Sequence, residues 1–191
     1  MSRLICFTII LISLLCLSCN SFNKKQILQD ASSLYNQTIT FPPNMICFNG
    51  TIKDTLPTTT EIARIIVWCD STECSLCTFK GMYHYDNFYN YCIDSINIDI
   101  RIEYIYSPSQ KDLDLIIQNM KAIRPTYTVY IDSESDMYNK NSFIPIDRRF
   151  HVFLLDKNNV VKAVGSPLIN NAMRDLYINQ LKLLDTSAQY Q

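Results

Sequence analysis

Glycine is nearly missing from this chain: three residues in 191. Loops that cradle phosphates need several glycines at fixed spacing, so Rossmann and P-loop sites have almost nothing to be made from, and no nucleotide cofactor is expected. A charge excess is missing as well. Seventeen Lys and Arg against 18 Asp and Glu give a formal net charge of -1, and the basic residues are scattered rather than clustered. Without a basic patch there is no electrostatic footprint for nucleic acid, and no nucleic-acid partner is expected. Repeats and low-complexity tracts are absent too. The remaining sequence is 48% hydrophobic, enough to bury one ordinary core, and we read one globular domain.

The first 19 residues have the pattern of a targeting segment. Arg3 supplies the positive start, Leu4 to Leu17 an apolar run, and Ser18 a small residue before Cys19. The run is too short to span a bilayer comfortably, since about 20 apolar residues are needed. It resembles a bacterial lipoprotein signal, in which the cysteine after the cleavage site is acylated and becomes the first mature residue. The resemblance implies lipid on Cys19, a membrane as partner, and a mature domain in the cell envelope outside the cytoplasm, where disulfides persist. The expected organisation is therefore a signal segment over 1–19, a tether with a short helix over 20–44, and one domain over 45–191.

Removing the leader leaves Cys47, Cys69, Cys74, Cys77 and Cys92. An odd number in an oxidising compartment leaves at least one thiol outside any disulfide framework, which suits redox use. Hydrophobic periodicity then orders the elements. A short helix should run through Ile27, Leu28, Ala31 and Leu34 or Tyr35. Asn49-Gly50 marks an edge hairpin. The β-branched run Ile62 to Trp68 suits a strand covered on both faces, the best candidate for the centre of the sheet. Asp70 to Glu73 is a polar turn, and a helix from about Ser75 to Ile93 follows, with Leu76, Phe79, Met82 or Tyr83, Phe88 and Cys92 as its apolar face. Ile98 to Tyr106 alternates with Asp99, Arg101 and Glu103, the period of a strand with one wet face near a sheet edge. A helix over 111–123, a strand over 127–131, a hairpin of Phe150 to Leu155 with Val160 to Val164, and a helix over 170–184 complete the list. Crossover helices with an antiparallel edge make this an α/β protein with a three-layer plan, a mixed central sheet flanked by helices.

Cys74-Ser75-Leu76-Cys77 falls where the strand turns into the helix. Thiol–disulfide exchange needs an accessible thiolate and a second thiol to resolve the mixed disulfide. At this spacing Cys74 would sit at the exposed helix start and Cys77 one turn in, so Cys74 is the nucleophile and Cys77 the resolving thiol. The helix start favours the thiolate, whereas the carboxylate of Glu73 opposes it. Cys69 is a candidate buried hydrophobe or a partner for Cys74. The series Cys69, Cys74, Cys77 also has the first spacings of a plant-type ferredoxin cluster, with Cys92 on offer as a fourth ligand, and zinc with His84 or Cys92 is conceivable by ligand type. The helical start after the turn decides against both, so neither a metal nor another cofactor is expected.

With these elements in place the chain resembles the thioredoxin-like proteins of the membrane-anchored TlpA and ResA type. The resemblance covers roughly Ile62 to Leu184 and rests on Ile65-Ile66-Val67-Trp68, the C-x-x-C pair opening a helix, and Phe153-Leu154-Leu155-Asp156. It implies a thioredoxin-like fold with an N-terminal extension, and exchange with protein thiols or disulfides outside the cytoplasm. The family's cis-Pro would fall near Phe150, flanked by Arg149 and His151, where a cation facing the pair would stabilise a thiolate. The simpler expectation is that Arg149 lies in solvent and His151 alternates out of the sheet. A non-catalytic binding lipoprotein whose cysteines only staple the helix start is the alternative to an exchange protein.

Overall fold

A computed structural model describes residues 25–48, 52–53, 63–72, 81–123, 125 and 127–189. The chain divides into two compact units, Met1–Ser33 and Leu34–Gln191. In the first, residues 25–33 are helical. Gln26 donates to the Asp30 carboxylate one turn on, at 2.8 Å, a spacing that brings side chains onto one helix face.

The second unit is built on a seven-stranded sheet of order β2-β1-β5-β4-β3-β6-β7. Its strands are β1 (Ile46–Phe48), β2 (Ile52–Lys53), β3 (Ala63–Cys69), β4 (Ile100–Tyr106), β5 (Thr128–Ile131), β6 (Val152–Asp156) and β7 (Val161–Val164). The helices are α1 (Asp86–Asn90), α2 (Leu113–Ile123), α3 (Asp136–Lys140) and α4 (Asn171–Gln189). β3, β4 and β5 run parallel, whereas β6 and β7 return antiparallel on one side and β1 and β2 on the other. The mixed α/β plan expected from the element order is the one found.

All seven residues of β3 are buried, as the unbroken β-branched run requires of a strand covered on both faces. Its neighbour β4 corrects the reading above. It lies in the middle of the seven strands rather than near an edge. The alternating charges do not face water: Glu103 is 1% exposed and accepts from Arg64 on β3 at 3.0 Å, with Arg101 at 3.7 Å. Paired charges can lie inside a sheet where single ones cannot. The opposite face of β4 packs Ile100, Ile102, Tyr104 and Tyr106 into the main core.

The helical stretch before β4 is composite: a 3-10 turn (Met82–Tyr85), α1, and a π-type turn (Tyr91–Ser95). Residues 75–80, where that helix was expected to open, lie outside the described residues. Met82 rather than Tyr83 takes the buried position, Tyr83 being 63% exposed. Tyr85 and Phe88 enter the core, with Tyr89 and Tyr91 packed against it. In α4, Tyr177 and Leu181 are buried and Met173 and Leu184 pack against the core, and of the apolar stripe expected over Met173, Leu176, Tyr177, Leu181 and Leu184 only Leu176 is exposed. The short helix α3 and a 3-10 turn at Arg148–Phe150 were not anticipated. Among the described residues no helix is long and apolar enough to cross a membrane.

Candidate functional site

The three parallel strands end side by side, with Cys69 opposite Tyr106 and Tyr106 opposite Ile131. The next residue of each is polar: Asp70, Ser107 and Asp132. Crevices beyond the carboxyl ends of parallel strands are where such sheets place their ligands, because the connections diverge there. Ladder-like bonds continue past the strand ends, from Ser107 N to the Cys69 carbonyl and from Asp132 N to the Tyr106 carbonyl, both 2.8 Å.

A buried relay crosses these ends. Trp68 Nε1 donates to Ser107 Oγ at 3.0 Å, and Ser107 Oγ donates to Asp132 Oδ2 at 2.9 Å. Asp132 also accepts from the backbone N–H of Asp136 at 3.0 Å and of Met137 at 2.8 Å. The carboxylate thereby satisfies two of the donors that α3 leaves open at its start. The indole of β3 and the entry of α3 are fixed through one acid.

His151 arrives from the antiparallel side, its carbonyl accepting from Trp68 N at 2.9 Å. Its ring centre lies 4.4 Å from that of Trp68. Nε2 lies 3.0 Å from the Pro145 carbonyl. A carbonyl only accepts, so Nε2 carries a proton and is the donor. Nδ1 lies 3.9 Å from Asp70 Oδ2. Asp70 Oδ1 in turn accepts from the backbone N–H and the hydroxyl of Thr72 at 2.7 and 2.6 Å, an Asx-type turn that directs the chain away from β3. Trp68, Asp70, Ser107 and His151 line a cleft of about 380 Å3 together with Glu134, Tyr138 and Ile146.

Of the site residues expected from sequence, Cys19, Glu73, Cys74 and Cys77 lie outside the described residues. Cys69 closes β3 and is 1% exposed, the fate of a small hydrophobe. Arg149 is exposed and forks onto Asp147, with Nε 3.0 and 2.9 Å from the two carboxylate oxygens. This guanidinium holds the Asp147 carboxyl below the usual range. Phe150 is buried and ends its 3-10 turn. His151 departs from expectation: it does not alternate out of the sheet but is 2% exposed, with Nε2 bonded to the Pro145 carbonyl and the ring lying against the Trp68 indole, tilted by 35°. Cys92 lies at 0% exposure in the core, where burial pushes its thiol up to about 12. His84 is exposed beside Tyr83. Among the described residues no group of three or more His, Cys, Asp or Glu is placed to hold a metal. Ser107, Asp132, Glu134 and Tyr138 were missed. The available signal was a polar residue directly after each of two parallel strands.

The order and direction of the strands make this a thioredoxin-like fold. No model of a known protein family matches the chain, and no curated protein matches it. Among solved structures, it is similar to a candidate thiol-disulfide oxidoreductase from Bacteroides vulgatus, at 16% identity and a TM-score of 0.53, covering 79% of this chain and 100% of that one. It is also similar to yeast Sco1, in a crystal structure with copper bound, at 12% identity and a TM-score of 0.51, covering 76% of this chain and 94% of that one. Likenesses at this level of identity concern the fold.

Proposed function

We propose that this chain is a thiol–disulfide exchange protein of the bacterial cell envelope, held to a membrane by lipid on Cys19, with Cys74 as nucleophile and Cys77 as resolving thiol. The observation that carries the reading is the order of the chain at the cleft. β3 ends at Cys69 and Asp70 turns the chain at Thr72, and the C-x-x-C pair follows directly in sequence, before the 3-10 turn at Met82–Tyr85.

In the reducing direction the Cys74 thiolate attacks a substrate disulfide. A Cys74–substrate bond forms, the substrate S–S bond breaks, and one substrate sulfur leaves and takes a proton. Cys77 then attacks Cys74, its proton passing to the second departing substrate sulfur. The pair is oxidised by two electrons and the substrate reduced by two; the reverse sequence oxidises a dithiol.

Cys74→Ser should abolish insulin reduction or RNase refolding, and Cys77→Ser should trap mixed disulfides. Full activity in Cys74→Ser would sink the exchange reading and leave a binding module. Acyl labelling and detergent partitioning should both be lost in Cys19→Ala; partitioning that is unchanged refutes the anchor.

A further inference from the structure

α4 carries more apolar surface than its packing on the core uses. Tyr177, Ile178 and Leu181 are buried and Met173 and Leu184 pack beside them, which accounts for the inward side. On the outward side Leu176 is 40% and Leu183 64% exposed, although a surface helix ordinarily keeps that side polar. The two leucines belong to a regular row. Ala172, Leu176, Asn179, Leu183 and Thr186 are all exposed and follow one another at intervals of four, three, four and three residues, the spacing of a seam between two helices.

The charges beside the row supply a second, independent feature. Asp175 and Lys182 each stand one residue before an outward leucine and are exposed, and neither side chain has a hydrogen bond or ion pair among the described residues. Their separation along the helix axis is about 10 Å, too far for the two to pair within one helix. Against a second α4 running the opposite way, each charge meets its opposite: Asp175 lies by the partner's Lys182, and Lys182 by the partner's Asp175. In the same register Leu183 seats on the small side chain of the partner's Ala172, and Leu176 lies beside the partner's Asn179. A parallel pair would instead set each charge against the residue five positions further on, which for Asp175 is Gln180, and no opposite charges would meet.

We propose that the outward face of α4 is the contact between two copies of this chain, joined antiparallel about a two-fold axis. A two-fold contact must be self-complementary, and a row of alternating large and small side chains flanked by one acid and one base meets that condition. The contact is weak. α4 has 19 residues and so a length of about 28 Å, and one helix laid on another over that length buries roughly 400 to 500 Å2 on each copy, against about 800 Å2 in a stable complex. A dissociation constant of about 10 to 100 μM follows. The exposed ion pairs and Asn179 set the direction and register of the pairing more than its strength. The inference goes beyond the exchange function proposed above and does not rest on it.

Self-complementarity makes the test reciprocal. The purified full chain, in mild detergent and under reducing conditions, should pass from monomer to dimer in sedimentation velocity as its concentration is raised through that range. Carbodiimide, which joins a carboxylate to an amine only where the two touch, should yield a covalent dimer in which mass spectrometry finds Asp175 linked to Lys182. Asp175→Lys alone and Lys182→Asp alone set like charges against each other twice and should each weaken association about tenfold, whereas the two changes together should restore it. Leu183→Gln should also weaken it, by about threefold or more. All these positions are exposed, and circular dichroism should show the fold unchanged. A chain that stays monomeric through about 500 μM, several times the constant expected, would overturn the contact. A dimer indifferent to the charge changes, single and combined, would place the contact elsewhere and overturn the assignment to α4. Neither result touches thiol exchange, which stands or falls with Cys74→Ser.

Discussion

Replacing Asp132 by alanine tests whether the site is held as described. The carboxylate is 2% exposed and accepts from Ser107 Oγ, Asp136 N and Met137 N within 3.0 Å. Its loss strands the Ser107 hydroxyl and the Met137 N–H away from water, whereas Asp136 is half-exposed and its N–H can be hydrated. Two buried unsatisfied donors at about 1 to 3 kcal/mol each, with the small cavity left behind, put the cost at roughly 3 to 5 kcal/mol. With an m-value of about 2 kcal/mol per molar, the urea midpoint falls by about 1.5 to 2.5 M. Circular dichroism and Trp68 emission should report the same transition. Native emission should shift even before unfolding, because Ser107 is freed to rotate away from the indole. Asp132→Asn keeps one accepting oxygen and should cost about half as much. A double-mutant cycle with Ser107→Ala should return a coupling of about 1 kcal/mol. A midpoint lowered by less than about 0.5 M, with unchanged native emission, would refute the account.

The buried pair of Arg64 and Glu103 predicts an asymmetry: Glu103→Leu alone should cost about 3 to 5 kcal/mol, while Arg64→Met with Glu103→Leu should recover much of it. Equal losses in urea titrations would show that the charges do not depend on one another. Burial pushes the Tyr85 hydroxyl up to about 12 and holds those of Tyr104, Tyr127, Tyr130 and Tyr177 above their ordinary value as well. Unfolded tyrosines lose their protons near pH 10. Above that pH the folded chain binds more protons, so stability is full below about 10 and falls as pH rises, by up to about 1.4 kcal/mol per pH unit for each such tyrosine. Tyrosinate absorbance should therefore rise in two stages, the second coinciding with loss of circular dichroism; a single stage near pH 10 with the fold intact would refute it. Cys92 follows the same sign, its contribution being complete below the ordinary thiol range and lost toward 12. Iodoacetamide at pH 8 should leave it unlabelled until the protein unfolds, and labelling in the native state at the rate of a free thiol would count against its burial.

Legibility followed the strength of the local signal. β3, α2 and the β6–β7 hairpin were readable because an unbroken β-branched run, a helical stripe and a polar turn each have one common structural solution. β4 was misplaced because alternation reports that one set of side chains is charged, not that it meets water. Arg64 and Glu103 are far apart in sequence, and their pairing at 3.0 Å exists only once β3 and β4 lie in register. The short helix α3 has five residues, too few for periodicity to show, and its start is organised by an acid outside it. The site was half legible. The exit from β3 could be marked from sequence, but the cleft is assembled from the ends of four strands and the α3 segment, which no local window contains.

The position where the resemblance led us to look for a proline shows how local geometry can redirect a family expectation. Phe150 N donates to the Asp147 carbonyl at 3.0 Å and His151 N to the Arg148 carbonyl at 3.1 Å, closing the 3-10 turn before β6. Proline at either position would remove one of these donors. The bond between His151 and β3 uses only the His151 carbonyl, accepting from Trp68 N, so pairing with the strand sets no condition on the residue's own N–H. What the turn gains by keeping both N–H groups is a side chain at 151 that reaches the indole. The imidazole then forms part of the cleft wall beside Asp70, which ties the absence of proline here to the presence of a polar aromatic cleft at the end of the sheet.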